Sequence, residues 1–320
     1  MQRTRIKLSF ILALLLLAFS APIGAQQPPK QSAMENTAGL PEVIWRDSGD
    51  IASLNLLYGV GGKEHAPAAD GKYTFVKEDL DGTSPKFDVE DTQGVQWKVK
   101  LGEETQSETA ATRLLWAAGY FTDEDYYLAE FSVSGMPKLH RGGKFVSADG
   151  AVHQARLERK SKEEKKLGTW GWLDNPFLNK RELNGLRVMM SLLNNWDLKE
   201  LNNSIYEVSG EHRYLVSDLG ATFGNTGGAI SRSKSDPNGY ANATFLGKVE
   251  PTFVDFVQNG KMKEVTQHIP RADAKWLGAR LSQLSESQIR DCFRAAGYAP
   301  EEVEGYAKAV LKRIAQLNAL

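Results

Sequence analysis

The sequence predicts an α+β protein on three observations. Alternating apolar and polar residues, the pattern of strands, fill much of its first half. Apolar residues at helical spacing dominate its second half. Between the two stands a dense charged run, K-S-K-E-E-K-K at 160–166, which reads as a solvated linker or surface turn. That run is a natural boundary between a sheet-plus-helix part over 50–159 and a helical part over 160–320. At 320 residues the chain is long enough for one two-lobed domain or two small ones.

Composition is that of a packed globular protein, with 41% hydrophobic and 25% charged residues. The 39 basic and 40 acidic residues leave a net charge of −1, so no overall basic field attracts nucleic acid. The N-terminus follows a different rule. Arg3, Arg5 and Lys7 precede an apolar run from Leu8 to Ala21, and the small residues Gly24 and Ala25 follow. This is the layout of a secretory signal peptide over 1–25, cleaved after Ala25. The run is short for a membrane span, which needs about 20 residues, and no cysteine sits near the cleavage point. Export to the periplasm or the medium is therefore expected, with no stable transmembrane anchor after cleavage; an uncleaved N-terminal anchor is the other reading. Residues 26–49 begin polar and proline-containing and read as a flexible lead-in.

Cys292 is the single cysteine, so there is no intramolecular disulfide and no Cys-ligated zinc site. It lies on an amphipathic helical pattern and reads as a packing residue rather than a nucleophile. The five histidines show no metal-binding spacing.

Taken in order, 50–58 reads as a short helix capped by Asp50, and the G-V-G-G that follows it as a turn. Residues 72–79, 86–91 and 95–101 alternate and read as three strands of an antiparallel meander. A strong helix follows over 103–119, closed by Gly119. Strand-like stretches recur at 126–133, 144–147 and 152–158. G-T-W-G-W-L-D-N-P-F (168–177) clusters aromatics that suit a core or, less simply, a substrate groove. Residues 179–196 carry a helical stripe of Leu183, Leu186, Met190 and Leu193. The Gly-, Ser- and Asn-rich stretch 225–240 reads as a mobile loop. Ser285 with Gln288 forms a capping-box pattern before one helix, and Pro300 opens another.

The chemistry is concentrated in two segments. N-N-W-D-L-K-E-L-N-N (194–203) contains D-L-K-x-x-N, with Asp197, Lys199 and Asn202. Y-L-V-S-D-L-G (214–220) is an apolar strand ending in Asp218-Leu219-Gly220. Phosphoryl transfer needs an acid beside the attacking hydroxyl, and an Asn and an Asp that hold magnesium against phosphates. Alone, D-L-K-x-x-N also fits a helix-capping turn; the ordered pair favours the chemical reading.

D-L-K-E-L-N followed by D-L-G resembles the catalytic loop and metal-binding motif of the protein-kinase-like superfamily. The resemblance implies a bilobal α+β fold, with a small sheet-plus-helix lobe and then a mainly helical lobe. It implies ATP as nucleotide and Mg²⁺ or Mn²⁺ as metal. Asp197 and Lys199 are then the catalytic candidates, and Asn202 and Asp218 the metal ligands. A strand lysine should hold phosphates and pair with a helix glutamate. Lys98 and Lys100 share a strand face; Lys100 is preferred and Lys98 is the alternate. Glu108 is the preferred partner, with Glu104 one turn earlier. L-D-G-T-S-P-K (80–86) is similar to the G-x-x-P-K turn of HipA-like kinases and more loosely to the lipid-kinase group. It assigns Gly82, Thr83 and Ser84 to phosphate contact, although a plain hairpin turn fits the same residues. The departures are Asn195-Trp196 where His-Arg is usual, and no A-P-E element after Gly220. They leave the acceptor open among protein, sugar and lipid-like alcohol. A catalytically silent nucleotide- or partner-binding pseudokinase scaffold, or a nucleotidyl transferase, would carry the same motifs.

Overall fold

The computed structural model describes residues 39–227, 232–258 and 262–320. The signal-peptide expectation at 1–25 and most of the lead-in lie outside the described residues. The class is α+β, as the sequence predicts.

Strand β1 (Glu42–Val43) opens the described chain and pairs in parallel with a much later strand, Glu42 opposite His212. Ile44 is buried and the Trp45 indole Nε1 donates to Ala118 O at 2.8 Å. Residues 42–46 thus depart from the flexible lead-in expected over 26–49. Their E-V-I-W-R sequence supplies the apolar side chains that the preceding polar stretch lacks. The helix expected at 50–58 is a single 3-10 turn, Ile51–Ser53, capped by Asp50.

The meander follows closely: β2 (Tyr73–Asp79), β3 (Lys86–Asp91) and β4 (Gln96–Leu101) pair antiparallel in sequence. After α1 (Glu104–Ala117), β5 (Asp125–Ser134) and β6 (Ala151–Arg159) complete a closed five-stranded barrel, in the order β2-β3-β4-β6-β5. Strand alternation sends Phe87, Val89, Trp97, Val99 and Leu157 into the barrel core. The same alternation turns Lys98 and Lys100 out of it. The strand expected at 144–147 is instead a 3-10 turn, Gly143–Phe145, with only Val146 bridging to Val152.

Helix α1 is rich in Ser and Thr and yet almost wholly buried. Its hydroxyls explain this: Thr105, Thr109 and Thr112 donate to carbonyls three or four residues back, at 2.8–2.9 Å. The small side chains then allow close approach. Leu114 and Leu115 pack into the core of the second half of the chain rather than that of the barrel. Gly119, at φ 98°, ends the segment where an L side chain would be strained.

Past the barrel, β7 (Lys165–Gly168) takes up the end of the charged run and pairs with β8 (Asn203–Val208). Helix α2 (Arg181–Leu192) lies between them in sequence, two to four residues shorter at each end than its pattern suggests. Strand β9 (Glu211–Val216) completes a four-stranded sheet, β1-β9-β8-β7. The short helix α3 (Pro237–Asn242) is capped by Asp236. Of the stretch expected to be a mobile loop, 228–231 lie outside the described residues, while Ser233 N donates to Asn225 O and α3 begins at 237. Strands β10 (Leu246–Val249), β11 (Phe253–Phe256) and β12 (Ile269–Pro270) form a second small sheet. Helices α4 (Arg271–Leu281), α5 (Glu286–Ala295) and α6 (Pro300–Asn318) finish the chain. The second half is therefore mainly helical, as expected, and carries short strands in two small sheets as well. Trp170 and Trp172 are core residues, and Cys292 is buried. Among the described residues no helix is long and apolar enough to cross a membrane.

Candidate active site

The barrel's outer face, the first turn of α1 and the segment after β9 converge on one ammonium group. Lys100, the last lysine of β4, is 3% exposed. Its Nζ lies 2.8 Å from Glu104 Oε2, 2.9 Å from Glu108 Oε2 and 3.2 Å from Asp218 Oδ1. Both glutamates project from α1 one turn apart, so both reach the same lysine. Burial alone pushes the Lys100 ammonium down, but Glu108, Asp218 and Glu104 together hold it well above the ordinary lysine value. For Glu104 burial pushes the carboxyl up, and Lys100 and Lys234 overcome this and bring it to about 2.

Glu108 is 1% exposed and has a second cation, Arg156 Nε at 3.4 Å. Burial raises the Glu108 carboxyl, and Arg156 and Lys100 restrain the rise. Arg156 comes from β6, directly opposite Lys100 in the ladder, and also pairs with Asp125 and with Glu158 at 3.0 Å. Arg156 lies four residues before the charged run at 160–166, with no motif around it in the sequence. Its place depends on barrel register, which alternation along a single strand does not reveal.

Asp218 follows β9. Its Oδ1 also accepts from Gly220 N at 3.2 Å, and its side chain is 46% exposed. Gly220 has a close-approach reason to be glycine: an added Cβ would lie 2.6 Å from Glu104 Cβ. Asn202 joins the two motif segments. Its carbonyl accepts from Ser217 N at 2.8 Å and from Asp218 N at 3.3 Å, while its Nδ2 donates to Asp197 O at 2.9 Å. Asp197 N is in turn held by Asn195 Oδ1 at 3.0 Å. Asp197, Asn202 and Asp218 are thus linked by a short chain of hydrogen bonds. Lys199 Nζ meets Asp197 Oδ2 at 3.0 Å on a largely exposed side chain, a pair that adds little stability.

The 80–86 turn divides. Ser84 Oγ donates to Glu104 Oε2 at 2.9 Å and so joins the cluster. Gly82, at φ 66°, and Thr83 are exposed at the tip; Gly82 O accepts from Arg141. No contact brings these two to Lys100. Lys98, on the same strand face as Lys100, makes none of these contacts and lines a cavity of about 470 Å³. Glu158, Asp123 and Arg159 line it as well, with Tyr206 and Leu215 from the four-stranded sheet. Burial pushes the Asp123 carboxyl well up, and Glu158 and Asp125 add to the effect. Lys234, whose Nζ lies 2.8 Å from Glu104 Oε1, is the cluster residue that sequence reasoning missed. It sits in a Gly/Ser/Asn-rich stretch with no pattern to single it out.

A magnesium-type ion prefers oxygen donors, usually one or two carboxylates beside substrate phosphates. The Asp218 carboxylate and the Asn202 amide oxygen are donors of that kind on adjacent, hydrogen-bonded backbone. The donor set fits such an ion.

No family model matches the chain, and no curated protein matches it. Solved structures do. The chain is similar to the Helicobacter pylori proinflammatory kinase CtkA, at 10% identity over 77% of this chain and 95% of that one, with a TM-score of 0.47. It is also similar to the Golgi casein kinase, at 10% identity over 79% and 73%, with a TM-score of 0.43. A form of that kinase with Mn and ADP bound gives 11% identity over 79% and 72%, with a TM-score of 0.42.

Proposed function

We infer that the protein is an ATP-dependent phosphotransferase of atypical kinase type that acts outside the cytoplasm. The observation that carries this is the meeting of Lys100 with Glu108 and Asp218, 2.9 and 3.2 Å from one ammonium although Asp218 lies 118 residues further along the chain. A strand lysine, a helix glutamate and the Asp of D-L-G are the parts that phosphoryl transfer needs in one place. The kinase-like layout is supported by the order of elements: three strands, a helix bearing Glu108, the two strands that close the small sheet, then the two motif segments.

In this reading the base occupies the cavity lined by Glu158 and by Lys98, which is two residues along β4 from Lys100. Lys100 holds the phosphates, and Glu108 with Arg156 holds Lys100 in place. Asn202 and Asp218 hold Mg²⁺ or Mn²⁺, which neutralises phosphate charge when bound. Asp197 orients the acceptor hydroxyl and takes its proton as oxygen forms a bond to the γ-phosphorus and ADP leaves. The acceptor is a protein, sugar or lipid-like hydroxyl. Export rests on the N-terminal pattern of Arg3, Arg5, Lys7 and the apolar run to Ala21.

The test is a thermal shift with ATP and Mg²⁺ or Mn²⁺, since a ligand that selects the native state raises Tm. Incubation with γ-labelled and α-labelled ATP follows. Transfer of the γ label that is lost in Asp197→Ala, with nucleotide binding retained, supports the reading. Transfer of the α label replaces it with nucleotidyl transfer. Binding without any transfer reduces the protein to a scaffold.

A further inference from the structure

Resting on the reading of Lys100 as a phosphate ligand, we propose that Ser84, Lys100 and Lys234 form a phosphate seat that the Glu104 carboxylate fills until nucleotide displaces it. Lys234 is then a second cationic ligand for the phosphates, and Glu104 a built-in competitor for them.

An ammonium has three N–H donors and no acceptor. At Lys100 three carboxylates, Glu104, Glu108 and Asp218, lie within 3.2 Å, so every donor already has a partner. A phosphate oxygen can reach Nζ only if one carboxylate leaves. Glu108 is the poorest candidate, because it is buried and also held by Arg156. Asp218 is tied to its own loop through Gly220 N and stands beside Asn202. Glu104 remains. It lies in the first turn of α1 with its stem against Gly220, and its carboxylate is held by a turn residue and the long side chain of Lys234.

The surroundings of Glu104 describe what replaces it. Lys100 Nζ at 2.8 Å and Ser84 Oγ at 2.9 Å address one carboxylate oxygen, and Lys234 Nζ at 2.8 Å addresses the other. One hydroxyl and two ammonium groups converging on a pair of anionic oxygens form a donor set suited equally to a phosphate. Once Glu104 swings out, the same three donors face the incoming anion, and Lys234 is carried from a carboxylate partner to a phosphate partner. Entry of nucleotide thereby acts on the segment around residue 234, which follows the D-L-G motif.

Calorimetry with two probes tests this: ATP with Mg²⁺, and inorganic tripolyphosphate, which has no base. Glu104→Gln should bind both about tenfold tighter than the wild type, the scale of one charge-assisted contact removed from competition. In the Glu104→Gln background, adding Lys234→Met should lose about tenfold for both probes. Glu104→Ser serves if the Gln variant melts too early to titrate. Affinity that is unchanged or weaker on removing the Glu104 charge overturns the proposal, as does indifference of the double variant to Lys234. Lys100→Met separates the two levels. If the wild type binds ATP and Lys100→Met does not, a missing gain in Glu104→Gln sinks the seat alone. If the wild type binds no ATP, or Lys100→Met binds as well as wild type, the phosphotransferase reading falls and this proposal with it.

Discussion

Arg313 is a buried cation whose partners among the described residues are oxygens of uncharged groups and aromatic rings, which makes Arg313→Met an informative perturbation. The guanidinium is 3% exposed. It donates to Ser191 O, Leu192 O and Asn194 Oδ1 at 3.2, 2.8 and 2.7 Å, and to Tyr240 O at 3.1 Å. It also lies 4.0 Å from the Tyr240 ring centroid. These contacts tie α6 to the C-terminal end of α2, where a positive group is favoured, and to α3. Methionine fills comparable volume without donors. Leu192 O would keep the Tyr240 hydroxyl at 2.6 Å and Ser191 O would keep Asn194 N at 3.1 Å, so two buried acceptors, Asn194 Oδ1 and Tyr240 O, are left alone, beside the part-buried Ala243 O at 3.5 Å. At about 1–3 kcal/mol each, they cost roughly 2–6 kcal/mol. Against this, a charge that burial already disfavours no longer has to be desolvated. A net loss of about 3 kcal/mol is expected in urea unfolding followed by tryptophan fluorescence. A Met variant within about 1 kcal/mol of the wild type would mean that the desolvation cost cancels the hydrogen bonds, and the stapling argument would be wrong.

Lys100→Met removes the ammonium beside a buried carboxylate, so Glu108 should rise further above 4.5 and fold best in its neutral form. A raised carboxyl costs nothing below its unfolded value and destabilises as pH climbs, so the variant's deficit should be larger at pH 8 than at pH 5; equal deficits would contradict this. Glu104 runs the other way. Its carboxyl is held at about 2, so its contribution, on the order of 3 kcal/mol, is complete above pH 4.5 and fades as pH falls toward 2. Acid titration of stability should show that limb in the wild type and not in Glu104→Gln. Gly220→Ala forces a methyl against Glu104 Cβ and Cγ, at 2.6 and 2.9 Å before relaxation, and should lower stability by about 1–3 kcal/mol while weakening nucleotide binding. A variant with unchanged Tm and affinity would show that the two segments part without cost.

What the sequence made legible was local. The β2–β4 meander and α1 follow from alternation and helical spacing, and their bounds agree within two residues. Alternation also placed Lys98 and Lys100 on one outward face, and both do leave the barrel core. What stayed hidden depends on partners far away in the chain. Barrel closure by β5 and β6 sets the register that puts Arg156 against Lys100. The parallel pairing of β1 with β9 needs a strand about 170 residues later, which no window of sequence contains. Of the 80–86 turn residues expected to meet phosphate, only Ser84 touches the cluster; Gly82 and Thr83 look the same in sequence, and the direction of the turn decides between them. Lys234 has no periodic neighbourhood at all. Glu104, named only as the alternate to Glu108, proves to touch Lys100 as well, because one helical turn separates two side chains that both reach a single ammonium.

Helix α1 belongs to the core of the second half of the chain, and it is also pinned by Ser107 Oγ to Gly220 O at 2.7 Å and by Gln106 Nε2 to Gly297 O at 3.1 Å. Swinging this helix outward would expose Leu114 and Leu115, at about 1.5–3 kcal/mol for each side chain returned to water. Moving Glu108 with its helix therefore carries a packing cost that moving a loop does not. A switch that moved the helix would have to meet that cost, whereas loops and single side chains around the cluster can move without it.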